Sequence, residues 1–327
     1  MAKDTSAFLQ VVKAFRLTPT PPASGKAIAE FEDKSGLKMP QELREIYQTC
    51  DGLKFKESSL EILSLETALT WVEAFRREGI GPAFGYLPFA EANDSNPFCV
   101  CCSGPMAGLV VRVFHDDAPQ LMFRSADNFF KWILTLQTEE DWRETDELWQ
   151  GEYSDSQRTK KDLAQAKKIM QWAEELTDTV QTNARRFALT ILSEESIDDI
   201  IAQLDANDHY VHEEAEIRLG NMEHPRAEAA LGEYYRRMRD FAKKCIEVLE
   251  NAGFEAEYIE GKGWPALKVH KGIKSVGLNF PVFYSKRNDM MFGNSSSKLA
   301  NADSDVGERN ADPLGQWPNF LRQDSPP

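Results

Sequence analysis

The segment from Ile28 to Gly52, IAEFEDKSGLKMPQELREIYQTCDG, constrains the fold of this chain more than any other. Its apolar spacing predicts a short helix that stops at Ser35-Gly36, and a Leu-x-Met-Pro turn follows. Pro40 favours the first turn of a second helix, because its missing N–H would be an orphan there. Gly52 is typical of the left-handed residue after a helix end. The segment therefore predicts two helices joined by a turn, and it contains no catalytic chemistry.

Length and charge limit the classes of protein that this chain can belong to. A chain of 327 residues predicts two or three domains, and 42% hydrophobic residues are enough for real cores. The net charge of −15 disfavours direct nucleic-acid binding and anionic membranes, and it would attract a basic protein partner. The chain has no apolar run long enough to span a membrane and no secretory h-region, so we expect a cytoplasmic protein.

The five cysteines support the same compartment. Their count is odd and paired Cys-x-x-Cys motifs are missing, which indicates neither a zinc site nor a disulfide framework. Cys99, Cys101 and Cys102 lie in an apolar run, where the pattern predicts free thiols packed in a strand. Free thiols are typical of a reducing compartment.

The rest of the chain changes from strands to helices and back. From Gly85, short apolar runs alternate with turn clusters at Asn93–Pro97 and His115–Pro119, which predicts an antiparallel meander. Ser125 then favours the start of a helix. The pattern is helical over 161–252 and strand-like over 253–283, and Ser, Asn, Asp and Gly dominate from 293, which predicts a mostly disordered tail.

Five pieces of the first 137 residues carry a family resemblance through their order along the chain. They are Ile28-x-x-Phe31-Glu32 with Gly36-Leu37-x-Met39-Pro40 and Asp51-Gly52; Tyr86-Leu-Pro-Phe89; Asn96-x-Phe98-Cys99; Gly108-x-Val110 with His115-Asp116-Asp117; and Ser125-x-x-Asn128-Phe129-x-x-Trp132. In this order they resemble the SMI1/KNR4 family of the SUKH superfamily. One departure is the Asn93–Pro97 turn, which stands where many members carry a glycine-rich turn.

The resemblance implies both a fold and a function. The family's domain is α+β, with a bent antiparallel sheet and flanking helices, and no catalytic residues are known for it. Its bacterial members are mostly immunity proteins that bind secreted polymorphic toxins, and its eukaryotic members are scaffolding or regulatory proteins. The resemblance therefore implies a non-enzymatic immunity protein that occludes a cognate toxin, such as a basic nuclease. A regulatory scaffold with several partners is the alternative.

A weaker resemblance covers residues 196–240, which are similar to one HEAT-like repeat and would need a neighbour to stack on. Residues 241–290 resemble no family and predict a small α/β segment. The predicted domains are an SMI1/KNR4 domain at 1–137, an acidic linker at 138–160, a helical HEAT-like region at 161–240, the α/β segment at 241–290 and a disordered tail at 291–327. Nothing in the sequence predicts the oligomeric state.

Acidic turns and the acidic linker are the candidate partner-binding surface, because carboxylates beside exposed aromatics suit a basic partner. The candidates are Asp94, Asp116, Asp117, Glu139, Glu140, Asp141, Trp142 and Glu144. Under the alternative interpretation, Trp142 and Trp149 pin the linker onto its own domain.

Two other patterns bear on metal or enzyme chemistry. His209, His212 and Glu216 could share a helix face, but a zincin needs a second histidine after His-Glu-x-x, so a solvated helix face is favoured. Glu260-Gly-Lys262 is similar to the acidic-x-Lys arrangement of metal-dependent nucleases, yet it equally predicts a hairpin turn. We therefore expect no cofactor, no metal and no catalytic residue, with a metal-dependent enzyme as the second alternative.

Overall fold

The computed structural model divides the chain into two compact units, Met1–Ser193 and Glu194–Pro327, here termed the N-terminal and C-terminal units. It describes residues 6–55, 59–92, 94–115, 117–136, 152–153, 158–206, 208–251, 253–259, 266–271, 274–279, 282–284 and 290–292. Side chains are described up to residue 257, apart from His209. The expected disordered tail beyond residue 292 lies outside the described residues.

Helices and one sheet make up the N-terminal unit. The helices are α1 (Ala7–Ala14), α2 (Gly25–Ser35), α3 (Gln41–Tyr47), α4 (Leu65–Glu78), α5 (Ala126–Leu136), α6 (Lys160–Ala173) and α7 (Asp178–Ile191). The strands are β1 (Leu53–Lys54), β2 (Glu61–Ile62), β3 (Tyr86–Glu91), β4 (Phe98–Cys101), β5 (Val110–Arg112) and β6 (Gln120–Phe123). The strands pair antiparallel in chain order, as the meander pattern predicted.

Glu32 holds the turn between α2 and α3. Gly36 ends α2 in the left-handed conformation at φ 61°. The Glu32 carboxylate then accepts the Met39 N–H at 2.9 Å and a hydrogen bond from the Arg44 guanidinium at 2.7 Å. Burial alone would raise the pKa of Glu32, but the bonds from Met39 and Arg44 outweigh it and hold the pKa below its usual value. The Leu-x-Met-Pro motif thus serves the fold.

The second helix of this segment is shorter than predicted. Pro40 is the residue before α3 begins, and α3 ends at Tyr47 instead of reaching Asp51. Gly52 has φ 94°, and a Cβ there would lie 3.2 Å from the Ser64 backbone nitrogen. Gly52 therefore allows the backbone just before β1 to approach the Ser64 backbone closely, and it does not cap the helix.

The first face of the sheet carries an aromatic core. Phe129 of α5 packs its ring against Phe89, Phe98 and Phe123 at centroid distances of 5.1, 5.1 and 5.5 Å. All four side chains are fully buried. Helix α1 closes this layer, because Phe8 meets Phe130 at 5.1 Å.

The second face of the sheet is buried as well. Strand side chains alternate between faces, and Cys99, Cys101, Val111 and Leu121 on this second face are at most 4% exposed. Helix α7 contacts β6, and Phe84 just before β3 meets Trp172 of α6 at 5.7 Å and Phe187 of α7 at 5.5 Å. Helix α4 adds a contact between Phe75 and Tyr86 at 6.4 Å. Helices α4, α6 and α7 therefore cover this face.

A largely buried ionic network joins the end of β6 to helix α6. Arg124 bonds to Asp162 at 2.9 Å and to Glu152, and its guanidinium lies 4.9 Å from the Tyr153 ring centroid. Arg158 stacks on the same ring at 5.0 Å. Asp162 also closes a capping box with Thr159 at the start of α6. We term Arg124, Glu152, Tyr153, Arg158 and Asp162 the Arg124 network.

Helices and two small sheets form the C-terminal unit. The helices are α8 (Ile197–Ile201), α9 (His209–Gly220) and α10 (Pro225–Asn251). The strands are β7 (Glu255–Ile259), β8 (Ala266–Lys271), β9 (Lys274–Asn279), β10 (Val282–Tyr284) and β11 (Met290–Phe292), with β7–β8–β9 in one antiparallel sheet and β10–β11 in another.

Helices α9 and α10 pack together through a buried polar pair. His212 is 5% exposed, and its Nε2 lies 2.7 Å from the Tyr234 hydroxyl. The expectation of a solvated helix face is therefore wrong for His212, because the tyrosine of α10 covers it.

The predicted α+β class is confirmed, with a six-stranded antiparallel sheet, flanking helices and a helical region after it. The predicted domain boundaries and the HEAT-like interpretation stay predictions. In the structure, α6 and α7 lie in the same compact unit as the sheet.

Candidate protein-interaction surface

Alternate strand connections of the N-terminal sheet emerge at the same end, because the strands pair antiparallel in chain order. The β3–β4 and β5–β6 turns touch there. The Val113 N–H donates to the Pro97 carbonyl at 3.0 Å, and the His115 N–H donates to Asn96 Oδ1 at 3.1 Å. The two predicted turn clusters thus form one surface.

The ends of β2 and β3 add carboxylates to this surface. Glu61 lies directly opposite Glu91 in the pairing of β2 with β3. Lys54 pairs with Glu61 at 3.0 Å, and the Trp71 indole donates to Glu91 at 3.2 Å. We term Glu61, Glu91, Asp94 and Asp117 the acidic end of the sheet. Sequence patterns did not identify Glu61 and Glu91, and only the strand register could have placed them beside the turns.

Asp94 is tied into the domain. Its carboxylate pairs with Arg112, whose side chain is 7% exposed, and accepts the Asn96 N–H at 3.1 Å. The Arg112 guanidinium also lies over the rings of Phe98 and Phe114, at 5.2 and 5.1 Å from their centroids. Much of the Asp94 charge is therefore compensated within the fold, although 31% of its side chain remains exposed.

Asp117 is more accessible than Asp94. It is exposed at the tip of the β5–β6 turn, and one of its oxygens accepts the Ala118 N–H at 2.6 Å. The remaining sequence candidates, Asp116, Glu139, Glu140, Asp141, Trp142 and Glu144, lie outside the described residues, as does Trp149. The structure thus brings Asp94 and Asp117 to one end of the sheet and leaves the linker candidates as predictions.

Only the end of the acidic linker is described, and it is anchored. The Glu152 N–H donates to the Met122 carbonyl at 2.7 Å, and the Asn128 amide donates to the Glu152 carboxylate at 2.8 Å. Tyr153 is 2% exposed inside the Arg124 network. The linker therefore rejoins the N-terminal unit beside β6.

The described residues form no metal-ligand cluster, and the thiols of β4 and Cys102 are protonated. No group of three or more His, Cys, Asp or Glu side chains there is placed to hold a metal ion. Burial raises the pKa of Cys102 to about 12 and the pKa of Cys99 and Cys101 well above the usual thiol value, so these thiols are protonated at neutral pH. Glu260 and Lys262 lie outside the described residues.

A sequential antiparallel sheet with helices on both faces and carboxylates at one end places the N-terminal unit among α+β domains. Residues 22–135 match the model of the SMI1 / KNR4 family (SUKH-1), which confirms the predicted SMI1/KNR4 domain for this part of the chain. The match does not include α1, α6, α7 or the C-terminal unit.

No curated protein matches the chain significantly. The described helices include none that is both long and apolar enough to cross a membrane.

Proposed function

We propose that the protein is an immunity protein that binds a cognate polymorphic toxin and neutralises it by stoichiometric occlusion. The family match over residues 22–135 carries this proposal, because the resemblance to the family's bacterial members implies toxin binding without catalysis. The coarser role, a protein-interaction domain, is consistent with the same match.

The chemistry of the domain supports a basic partner. The chain carries a net charge of −15, and the acidic end of the sheet places carboxylates on turns and strand ends of a sheet that is buried on both faces. Such a surface would steer a basic toxin, for example a nuclease, into an encounter without providing a reaction of its own. Cysteines without disulfide bonds favour the cytoplasm as the place of action.

Co-expression with the cognate toxin tests the proposal. We expect cells that carry both genes to survive and cells that carry the toxin alone to die. The two purified proteins should form a one-to-one complex in which the toxin is inactive. If the toxin kills equally well with and without this protein, the immunity proposal fails.

A charge reversal tests the acidic end of the sheet. We expect Asp117→Lys to weaken toxin binding by about tenfold or more, mainly through slower association at low salt. Glu78→Lys is the matched control, because it makes the same charge change on an exposed residue. Trp71 meets Glu91 and Phe75 meets Tyr86, so α4 runs antiparallel to β3 and Glu78 lies beyond its other end. Equal weakening by both variants would point to overall charge instead of this surface.

A regulatory scaffold is the second candidate, and the C-terminal unit favours it because this unit lies outside the family match. Affinity purification from the native host separates the two. One dominant small basic partner supports immunity, whereas several partners in similar amounts support a scaffold.

A further inference from the structure

Among the described side chains of the C-terminal unit, the exposed large apolar ones lie on α9. Val211, Ala215 and Leu219 of this helix are at most 1% exposed and form its buried stripe. Tyr210 and Ile217 are 54% and 49% exposed, although both are large and apolar. The helix therefore has a second apolar side that the fold does not bury.

Tyr210 and Ile217 lie on the same side of α9. They are seven residues apart, which places them two turns from each other on the same side of a helix. Between them, Glu213 is half-buried, and the Glu214 side chain is 12% exposed. The Asp208 carboxylate accepts the N–H groups of Tyr210 and Val211 and fixes the first turn. We term Tyr210, Glu213, Glu214 and Ile217 the α9 stripe.

The segment that contains the α9 stripe is rich in acidic residues. Residues 194–223 contain ten Asp and Glu residues and one basic residue, Arg218. Arg218 is paired with Glu214 at 2.8 Å. Two basic residues of α10 also pair with this segment, Arg226 with Asp198 and Arg237 with Asp205. The segment is thus strongly negative.

We propose that the α9 stripe is a docking site for a basic amphipathic helix of a partner protein. Tyr210 and Ile217 would be the apolar anchors, at the spacing with which one helix meets another. The surrounding carboxylates would select a partner with Lys or Arg beside its apolar face. A second copy of this chain is a poor occupant, because it would bring the same negative segment against itself. The proposal concerns the C-terminal unit and does not rest on the proposed immunity function.

A fluorescent synthetic peptide tests the site on the full chain. The probe is an amphipathic helix with Leu on one side and Lys on the other, and the control peptide has Glu in place of Lys. We expect the Lys peptide to bind, the Glu peptide not to bind, and affinity to fall as salt rises from about 50 to about 300 mM. Fluorescence anisotropy measures all three. Failure of the Lys peptide to bind, or equal binding of both peptides, would overturn the proposal.

Substitutions locate the peptide on the α9 stripe. We expect Tyr210→Ser with Ile217→Ser to weaken binding about tenfold or more, which is about 1.4 kcal/mol, because a few apolar anchors carry most of the binding energy of such contacts. Leu9→Ser is the matched control, since Leu9 is 40% exposed on α1 of the other unit. It should change the affinity less than about twofold. Unchanged binding by the double variant would overturn the proposal.

Hydrogen exchange and sedimentation separate peptide docking on α9 from misfolding of the variant and from self-association. In the unsubstituted protein, the peptide should slow hydrogen exchange of the α9 amides and leave those of α1 unchanged, which tests the site even if the double variant folds poorly. Sedimentation without peptide tests self-association. A dimer that Ile217→Ser dissociates would make a second copy the occupant and would contradict the proposal.

Discussion

The two units of this chain bury their surfaces differently. In the N-terminal unit, helices cover both faces of the sheet, and its candidate contacts are turns at the sheet end. In the C-terminal unit, one side of α9 is buried while Tyr210 and Ile217 on the other side remain about half exposed. Strand register therefore determines the candidate surface of the N-terminal unit. Side-chain exposure on a helix determines that of the C-terminal unit.

Removing α6 and α7 should destabilise the N-terminal unit more than any of the substitutions below. A chain that ends at residue 136 keeps the family match but uncovers Cys99, Cys101, Val111 and Leu121. We expect it to aggregate or to unfold without cooperativity, whereas a chain that ends at residue 193 should unfold cooperatively. Labelling of Cys99 and Cys101 with a thiol reagent measures the difference, because both thiols are fully buried in the complete unit.

The labelling rate can also contradict the prediction that α6 and α7 are needed to cover the sheet. If the shorter chain protects both thiols as well as the longer one, then the family domain is sufficient alone and α6 and α7 are additions to its surface.

Arg124→Met should have the next largest effect. The change leaves the carboxylates of Asp162 and Glu152 without their cation, and these side chains are only 7% and 17% exposed. Breaking a buried pair from one side costs about 3 kcal/mol, which urea unfolding can measure. Lys131→Met is the matched control, because its 2.8 Å pair with Asp127 is exposed, and it should cost about 0.5 kcal/mol or less. Equal losses would mean that the Arg124 network is not structural.

The pH dependence of the same variant sharpens this test. Burial alone would raise the pKa of Asp162, but hydrogen bonds from Arg124 and Thr159 hold it below its ordinary value. A depressed folded-state pKa adds stability at pH values above the unfolded pKa of about 4, and this stability is lost as the pH falls through the folded pKa. Arg124→Met removes the largest of the lowering interactions, so its free energy of unfolding should fall less steeply on acidification. The unfolding free energy measured over an acid pH series checks this.

The sequence predicted the helices and strands better than it predicted how they pack against one another. The meander and the helix after Ser125 followed from local patterns, because the period of two and the turn residues are written along the chain. The packing of α6 on Phe84 and the pairing of Arg124 with Asp162 could not be predicted, since they join residues far apart in sequence. His212 shows the same limit, because its burial depends on Tyr234 of another helix. At the acidic end of the sheet, Asp94 and Asp117 were predicted from turns, whereas Glu61 and Glu91 required the strand register.

Tyr234→Phe tests the C-terminal counterpart of the Arg124 network. Tyr234 is 4% exposed, and its hydroxyl lies 2.7 Å from His212 Nε2. Removing the hydroxyl should cost about 1–2 kcal/mol, because a buried polar group loses a hydrogen bond. Hydrogen exchange of the amides in α9 and α10 measures the loss where it occurs. Tyr210→Phe makes the same chemical change on an exposed tyrosine and should have little effect on those amides. If both variants behave alike, the His212–Tyr234 pair does not hold the two helices together.

Gly232→Ala should have the smallest effect, and it should stabilise. Gly232 is an exposed interior residue of α10, and a Cβ built there meets nothing within 4 Å. Glycine in a helix interior is less favourable than alanine by about 0.8–1 kcal/mol, so the C-terminal unit should gain about that amount. Urea unfolding, with hydrogen exchange of the α10 amides as the probe, measures the gain in stability.

Gly36→Ala is the control, because it makes the same change with the opposite expected sign. Gly36 has φ 61° after α2, and an added Cβ would lie 3.3 Å from the Arg76 guanidinium. An L-residue in the left-handed conformation costs about 1–2 kcal/mol, so the N-terminal unit should lose stability. A gain at both positions would show that backbone entropy outweighs left-handed strain here. A loss at both would show that α10 needs its glycine for a contact beyond the helix itself, which would make Gly232 a candidate for close approach by a partner.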